Sequence, residues 1–222
     1  MSRPVLVIGG GGHAKVVINA LRRAGRQIVG VIDKDEALWN TSVAGAPVLG
    51  GNDRVADESP KETDLVVGVG FLGKTKNRSI IFERFKSDGY QFPPVIDPSA
   101  VYASDVKIAE GAQIMAGCVI QPGACVGRNS IVNTRASIDH DCAIGAHVHI
   151  APGATLCGNV RVGDNTLVGA GATILQSVSI GSKCIVAAGA VVIADVPDNA
   201  CVLGVPASPL MKSGSDQPES SS

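Results

Sequence analysis

Fifteen aliphatic residues recur at every sixth position of this 222-residue chain, from Ile108, Ile114 and Ile120 through Ile150 to Val186 and Val192, without interruption. Each is Ile, Leu or Val. Neither the 3.6-residue period of a helix nor the two-residue period of an ordinary strand holds that register over 85 residues. A fixed short period is the signature of a parallel β-helix built from hexapeptides. Four positions after each aliphatic comes a small or slim side chain, among them Ala112, Cys118, Ser130, Ala136, Cys142 and Cys184. Large and small inward groups in alternation let stacked coils close a narrow prism. Gly127, Gly145, Gly163 and Gly181 are spaced by three hexads, as are Gly153, Gly171 and Gly189. They mark equivalent corners of a triangular coil, where positive φ or close backbone approach is needed. Fifteen hexads make five coils, a prism roughly 24 Å long at the usual strand spacing.

Such a prism needs few rings, and aromatics are only 3% of the chain. The net charge of −1 gives no reason to expect nucleic acid or an anionic membrane as a partner. The N-terminus runs straight into the strand-like Pro4–Ile8 with no signal-peptide pattern, and no apolar run approaches 18 residues, so a cytoplasmic protein is expected. The six cysteines form neither a metal nor a disulfide pattern; Cys118, Cys142 and Cys184 occupy the small interior position, where a thiol acts as a compact hydrophobe.

Residues 1–94 read as a second, smaller unit. Strands at Val5–Ile8, Gln27–Ile32 and Leu65–Val69 alternate with helical spacing at Val16–Arg23 and Lys76–Ser87, which predicts a small parallel α/β domain. Phe92–Pro98 is the junction, residues 100–208 the β-helix domain, and residues 213–222 a Ser-rich polar tail expected to be disordered.

The first strand runs into Gly9-Gly10-Gly11-Gly12-His13-Ala14-Lys15. Backbone N–H groups at a helix start form an anion site, and Asp33 follows the second strand at the distance of a ribose contact. The domain is too short for a full dinucleotide fold, so a nucleotide-sugar diphosphate fits better than NAD. The plainer alternative is a tight structural turn. In the prism, Asp139-His140-Asp141 is a charged cluster in a repeat otherwise poor in charge. An imidazole beside carboxylates has raised basicity and a fixed tautomer, as suits a general base. Taken alone, the commoner reading is an exposed corner histidine among solvated acids. His147 and His149 lie close by in sequence, but four histidines in the chain are too few for a convincing metal site, and a surface or substrate-contacting role is expected of them instead.

The short α/β domain opening on Gly-Gly-Gly-Gly-His13-Ala-Lys, followed by hexads carrying Asn133-Thr134, Asp139-His140-Asp141-Cys142, His149, Gly158-Asn159 and a closing Gly204-Val205-Pro206-Ala207, resembles the sugar-nucleotide acetyltransferases of bacillosamine and perosamine biosynthesis and the related sialic acid O-acetyltransferases. The resemblance spans about residues 4–208. It implies a Rossmann-like α/β domain followed by a left-handed parallel β-helix, an exception to the usual right-handed crossover. It also implies a homotrimer, acetyl-CoA as cosubstrate in the clefts between prisms, and no metal requirement. By it, His140 is the base and Asp141 its acidic partner. Asn133 faces the acceptor sugar, His149 lies near the acetyl thioester, and Gly158 contacts CoA through its backbone. Gly11, Gly12, His13, Asp33 and Gly70 hold the nucleotide sugar. The implied activity is acetyl-CoA-dependent N-acetylation of a nucleotide-linked amino sugar, of the 4-amino-4,6-dideoxy kind, for surface glycan or glycoprotein assembly. Sugar O-acetylation of the sialic acid type and a non-catalytic nucleotide-sugar-binding scaffold are the alternatives. One departure is the segment Gly70–Arg78, longer and more basic than the family's short loop.

Overall fold

The computed structural model describes residues 2–73 and 75–210; the tail at 213–222 lies outside the described residues. The head comprises β1 (Val5–Ile8), α1 (Gly12–Arg23), β2 (Ile28–Ile32), β3 (Ser42–Val43), β4 (Ala46–Gly50), β5 (Asp64–Val67) and α2 (Asn77–Ser87). Its sheet runs in the order β3-β4-β2-β1-β5, parallel except for the short β3–β4 hairpin. β1 and β5 are buried on both faces, hence their unbroken apolar runs. Helix α1 begins inside the glycine run, four residues before the start at Val16 that its spacing predicts, and buries Ala14, Val17, Ile18, Ala20 and Leu21 against the sheet. Its N-cap, Gly11, has no side chain to cap the first-turn N–H groups. The segment between β2 and β5 gave no sequence signal, yet it contains β4. That strand is only five residues long, alternates buried with exposed and carries Pro47, which blurs its period.

Below the head, two-residue rungs follow one another every six residues from Val95–Ile96 to Val191–Val192. Each pairs in parallel with the rung one coil later, as Ile131–Val132 does with His149–Ile150. Three flat sheets result. We call the face carrying His149–Ile150 the first, that carrying Ser137–Ile138 the second, and that carrying Ala143–Ile144 the third. The stretch read as a junction already belongs to the prism, because Val95–Ile96 pairs with Gln113–Ile114. Fourteen of the fifteen aliphatics are buried, and Ile108, near the open end, is partly covered. The two glycine columns exist for different reasons. At Gly145 a Cβ would sit 2.4 Å from Asp164 of the next coil, whereas Gly153 has φ +68 and open space around it. The same left-handed corner position is filled elsewhere by Asn129, Asp141, His147, Asn165 and Lys183, among others.

Head and prism are joined by packing and by buried hydrogen bonds. Val95 and Met115 lie in the core on the α1 side of the sheet. On the other side, Phe82 of α2 presses on Gly111, where a Cβ would meet the ring at 2.6 Å. Arg78 is 3% exposed, with no acidic partner among the described residues. Its Nε donates to Asn129 O of a prism corner at 3.0 Å, and its Nη1 to Val67 O and Val69 O at 3.0 and 2.8 Å. The basic segment that runs into the first turn of α2 thus includes a cross-domain clamp, Arg78, and Gly73 seats the loop on Leu167 and Ile185 of the first face.

Candidate active site

His140 and Asp141 form the turn between the second and third faces. Asp141 takes the left-handed conformation, φ +60, which suits a short polar side chain better than a bulky one. That conformation brings its Oδ2 to 2.8 Å from His140 Nδ1, while Asp139 Oδ1 accepts the His140 backbone N–H at 2.8 Å. The two acids therefore do different work: Asp139 holds the backbone and Asp141 the ring. With Nδ1–H committed to a carboxylate, Nε2 carries the lone pair. The imidazole pKa is raised, chiefly by the Asp141 hydrogen bond and further by the charges of Asp139 and Asp141. One coil on, at the same corner, lies Gly158. A Cβ there would stand 2.5 Å from His140 Nε2. Only glycine leaves that nitrogen open.

A second cluster lies on the first face beneath the head. His149 is buried, and its Nδ1 lies 2.6 Å from Phe71 O. A carbonyl can only accept, so Nδ1 carries the proton and Nε2 accepts from Asn133 Nδ2 at 3.1 Å. The Asn133 amide is itself fixed, because its Oδ1 accepts Thr134 N–H at 2.8 Å. Burial, and then the Arg78 charge, lower the His149 pKa against the Phe71 bond. His13 lies in the same region, its Nε2 2.7 Å from Gln113 Oε1, and a Cβ at Gly70 would come within 3.5 Å of the His13 Cβ. Burial pushes its pKa down to about 4, helped by the Arg78 charge.

The head supplies a cavity of about 280 Å³ at the carboxyl ends of β1 and β2 and beside Val69 beyond β5, lined by Gly9, Asp33, Lys34, Val69, Asn77 and Ile80 among others. This is where an open α/β sheet binds ligands, beside its central strand where the chain order reverses. Gly9 and Gly68 are required by the fold: a Cβ at either would fall 2.5 Å from a neighbouring atom. Gly11 and Gly12 are not, since a Cβ there meets nothing within 4 Å. Their open side is free for a phosphate to approach backbone N–H groups. Both Asp33 oxygens are engaged by backbone, Oδ2 by Gly10 N at 2.5 Å and Oδ1 by Asp35 N at 2.8 Å, so Asp33 shapes the glycine loop. A larger hollow of about 580 Å³ on the head is lined by Asp53, Asp57, Glu58 and Asp88, with Arg84 the only basic residue among its lining; it repels phosphates and touches none of the glycine loop.

The sequence-derived residues thus fall into separate groups on one chain. His140, Asp141 and Gly158 share a corner between the second and third faces; Asn133, His149, His13 and Gly70 gather on the first face and the head above it. His147 is not a freely exposed surface residue. It is half-buried in the seam, Nδ1 accepting from Asn129 at 2.9 Å and Nε2 donating to Glu83 at 3.1 Å, because the corner column that carries it continues under α2. Gln113 and Phe71 went unnoticed in the sequence. Gln113 stood at an outward position that hexad spacing treats as solvent-facing, and Phe71 acts through its backbone. Among the described residues no three His, Cys, Asp or Glu side chains converge as a metal set, and no helix is long and apolar enough to cross a membrane.

A glycine-loop α/β head on a hexad prism with an Asp-supported, open-faced histidine defines an acyltransferase of the hexapeptide-repeat class. Residues 4–85 match the family described as PglD N-terminal domain, and residues 159–194 the hexapeptide repeat of succinyl-transferase. The chain is 37% identical to PerB from Caulobacter crescentus, solved in complex with CoA and GDP-perosamine, over 94% of this chain and 97% of that one, with a TM-score of 0.87. It is 38% identical to the acetyltransferase domain of PglB from Neisseria gonorrhoeae, solved with acetyl coenzyme A, over 95% and 100% of the two chains, again with a TM-score of 0.87. WeeI from Acinetobacter baumannii is 27% identical over 94% and 100%, with a TM-score of 0.79. The chain belongs to the hexapeptide-repeat family of the perosamine and PglB N-acetyltransferases, and its prism is a left-handed β-helix.

Proposed function

We infer that this chain transfers the acetyl group of acetyl-CoA to the amine of a nucleotide-linked amino sugar. The observation that carries the reading is the His140–Asp141 pair, with Nε2 held open beneath Gly158. His140 Nε2 accepts a proton as the sugar amine attacks the thioester carbonyl, and Asp141 stabilises the imidazolium that forms. The amine nitrogen gains the acyl carbon, the C–S bond breaks, and the sulfur leaves as CoA thiol after taking a proton. Holding both substrates at one place supplies much of the rate, with no acyl-enzyme needed. The head, through Gly11, Gly12 and the cavity beside Asp33, takes the nucleotide sugar. Asn133 faces the sugar, and His149 and Gly158 lie along the path of CoA.

The separation of His140 from His149 on one prism supports a closed homotrimer in which the corner of one copy faces the first face of the next. The enzyme acts in the cytoplasm, where acetyl-CoA and nucleotide sugars are found, with residues 1–94 as the recognition unit and 100–208 as the acyltransferase unit. A panel of UDP-, GDP- and dTDP-linked amino sugars and hydroxyl-bearing sugars, assayed for CoA release, tests the activity. We expect turnover only with an amine acceptor; turnover with hydroxyl acceptors alone overturns the N-acetylation. Light scattering at micromolar concentration tests the assembly, and a monomer mass overturns it.

A further inference from the structure

Gln113 occupies the outward position of its rung, where the same column carries Val95, Ile131, Leu167 and Ile185. The column is otherwise apolar apart from His149, and Gln113 is 1% exposed beneath the head. An apolar side chain would fill this place at less cost, because a buried amide is tolerated only when its hydrogen bonds are made. Here both ends are bonded. Nε2 donates to Val67 O at 2.8 Å, and Oε1 lies 2.7 Å from His13 Nε2.

The amide cannot be turned round. Val67 O only accepts, and it also receives Arg78 Nη1 at 3.0 Å. The nitrogen of Gln113 must therefore face Val67, and its oxygen must face His13. His13 Nε2 in turn must carry the proton, which leaves a lone pair on Nδ1. No described residue bonds that Nδ1. Two positive or titratable groups face His13 besides Gln113, namely Arg78 and His149, and with burial they oppose a second proton on the ring. His13 is the second residue of α1, in a glycine run whose N–H groups favour an anion. A neutral ring offering a lone pair adds nothing to phosphate binding there. It can only receive a hydrogen.

We propose that Gln113 is a positioning residue that fixes His13 as a hydrogen-bond acceptor, so that His13 Nδ1 reads a hydroxyl or amine hydrogen on the sugar of the bound ligand and not its diphosphate. The nature of that ligand rests on the function inferred above; the tautomer does not. Arg78, clamped to Val67, Val69 and Asn129, keeps the acceptor carbonyl in place.

The ¹⁵N spectrum of the full-length wild-type protein tests the first half. We expect His13 to be neutral from pH 5.5 upward with its proton on Nε2; a proton on Nδ1 overturns the proposal whatever the chain binds. Calorimetry with Gln113→Leu tests the second half, with Arg78 left to hold the seam. Affinity for a nucleotide amino sugar should fall about fivefold to tenfold, the loss of one hydrogen bond, while affinity for the matching nucleoside diphosphate changes less than about twofold. Equal losses for both ligands overturn it. Gln113→Glu keeps an acceptor for His13 Nε2 but adds a negative charge. It should raise the His13 pKa and restore part of the sugar affinity, which a merely space-filling role would not produce. A wild-type chain that binds no nucleotide sugar overturns the function, and the spectrum of the free protein still decides the tautomer.

Discussion

The head fills its core with rings, and the prism does without them. Phe82, Phe85, Tyr90 and Phe92 lie together on one side of the head sheet, whereas the chain after Tyr102 contains no Phe, Tyr or Trp at all. In the head, each core residue meets partners from several elements, and position in sequence says little about which. In the prism every inward residue meets the same neighbours, one coil above and one below. The contrast extends to chemistry. The head offers backbone N–H groups and shape, while the charged pair that can move a proton sits on a prism corner. In the function proposed above, recognition and proton transfer are thereby assigned to two kinds of architecture.

If that division holds, damage to the prism corner should cost rate and leave binding alone. His140→Asn should lower kcat by about 10²–10⁴, the usual contribution of a general base, with little change in either substrate's affinity. Steady-state kinetics beside calorimetry checks this. Wild-type kcat at saturating acetyl-CoA would sink the assignment, and an acceptor amine arriving already neutral would replace it.

The prism should also be the less forgiving half to truncate. Ile150 is fully buried between Val132 and Val168 of the neighbouring coils. Ile150→Ala should cost about 2–5 kcal/mol in chemical denaturation, through lost transfer energy and a cavity that stacked strands cannot collapse. A cost under about 1 kcal/mol would mean the coils are more plastic than their register implies.

Legibility follows the same divide. The hexad register exposed the rungs, the inward aliphatics and the small interior column, because one period repeated many times averages out local exceptions. It said nothing of what covers the outside, so Gln113, Arg78 and the seam around His147 stayed hidden: their partners come from the head, tens of residues away in sequence. In the head, strands buried on both faces were visible as apolar runs. The short β4, half-exposed and carrying Pro47, was not. At the site, Asp139 and Asp141 flank His140 symmetrically in sequence. Only the resemblance chose between them, and the left-handed backbone at Asp141 shows physically why that carboxylate reaches the ring.

Within the head, the glycine loop offers a milder break. Gly11 has φ −74 and an open Cβ direction, so the folded chain accepts a side chain there. Gly11→Val should leave the fold intact and weaken nucleotide-sugar binding about tenfold, with CoA affinity nearly unchanged, as calorimetry can measure. Equal loss of both ligands would place CoA at the loop and dissolve the separation of roles.

The smallest expected effect is the most discriminating, because it separates two acids that differ only in what they touch. With His140 as the proposed base, the reactive form is the neutral ring, so the wild-type rate should rise with pH through one ionisation. That ionisation lies above the ordinary imidazole value, since the Asp141 bond favours the protonated ring. Asp141→Asn removes the bond to a charged partner, so the inflection in kcat against pH should move to lower pH. The plateau at high pH should also drop, by less than for His140→Asn, because the base remains but is weaker and less firmly aimed. Asp139→Asn should move the inflection the same way but less, since Asp139 acts on the ring only through its charge and spends a carboxylate oxygen on the His140 backbone N–H. A larger shift from Asp139→Asn than from Asp141→Asn would reverse the assignment of the two acids. No shift from either would mean that the ionisation read by the rate belongs to the acceptor amine and not to the prism corner.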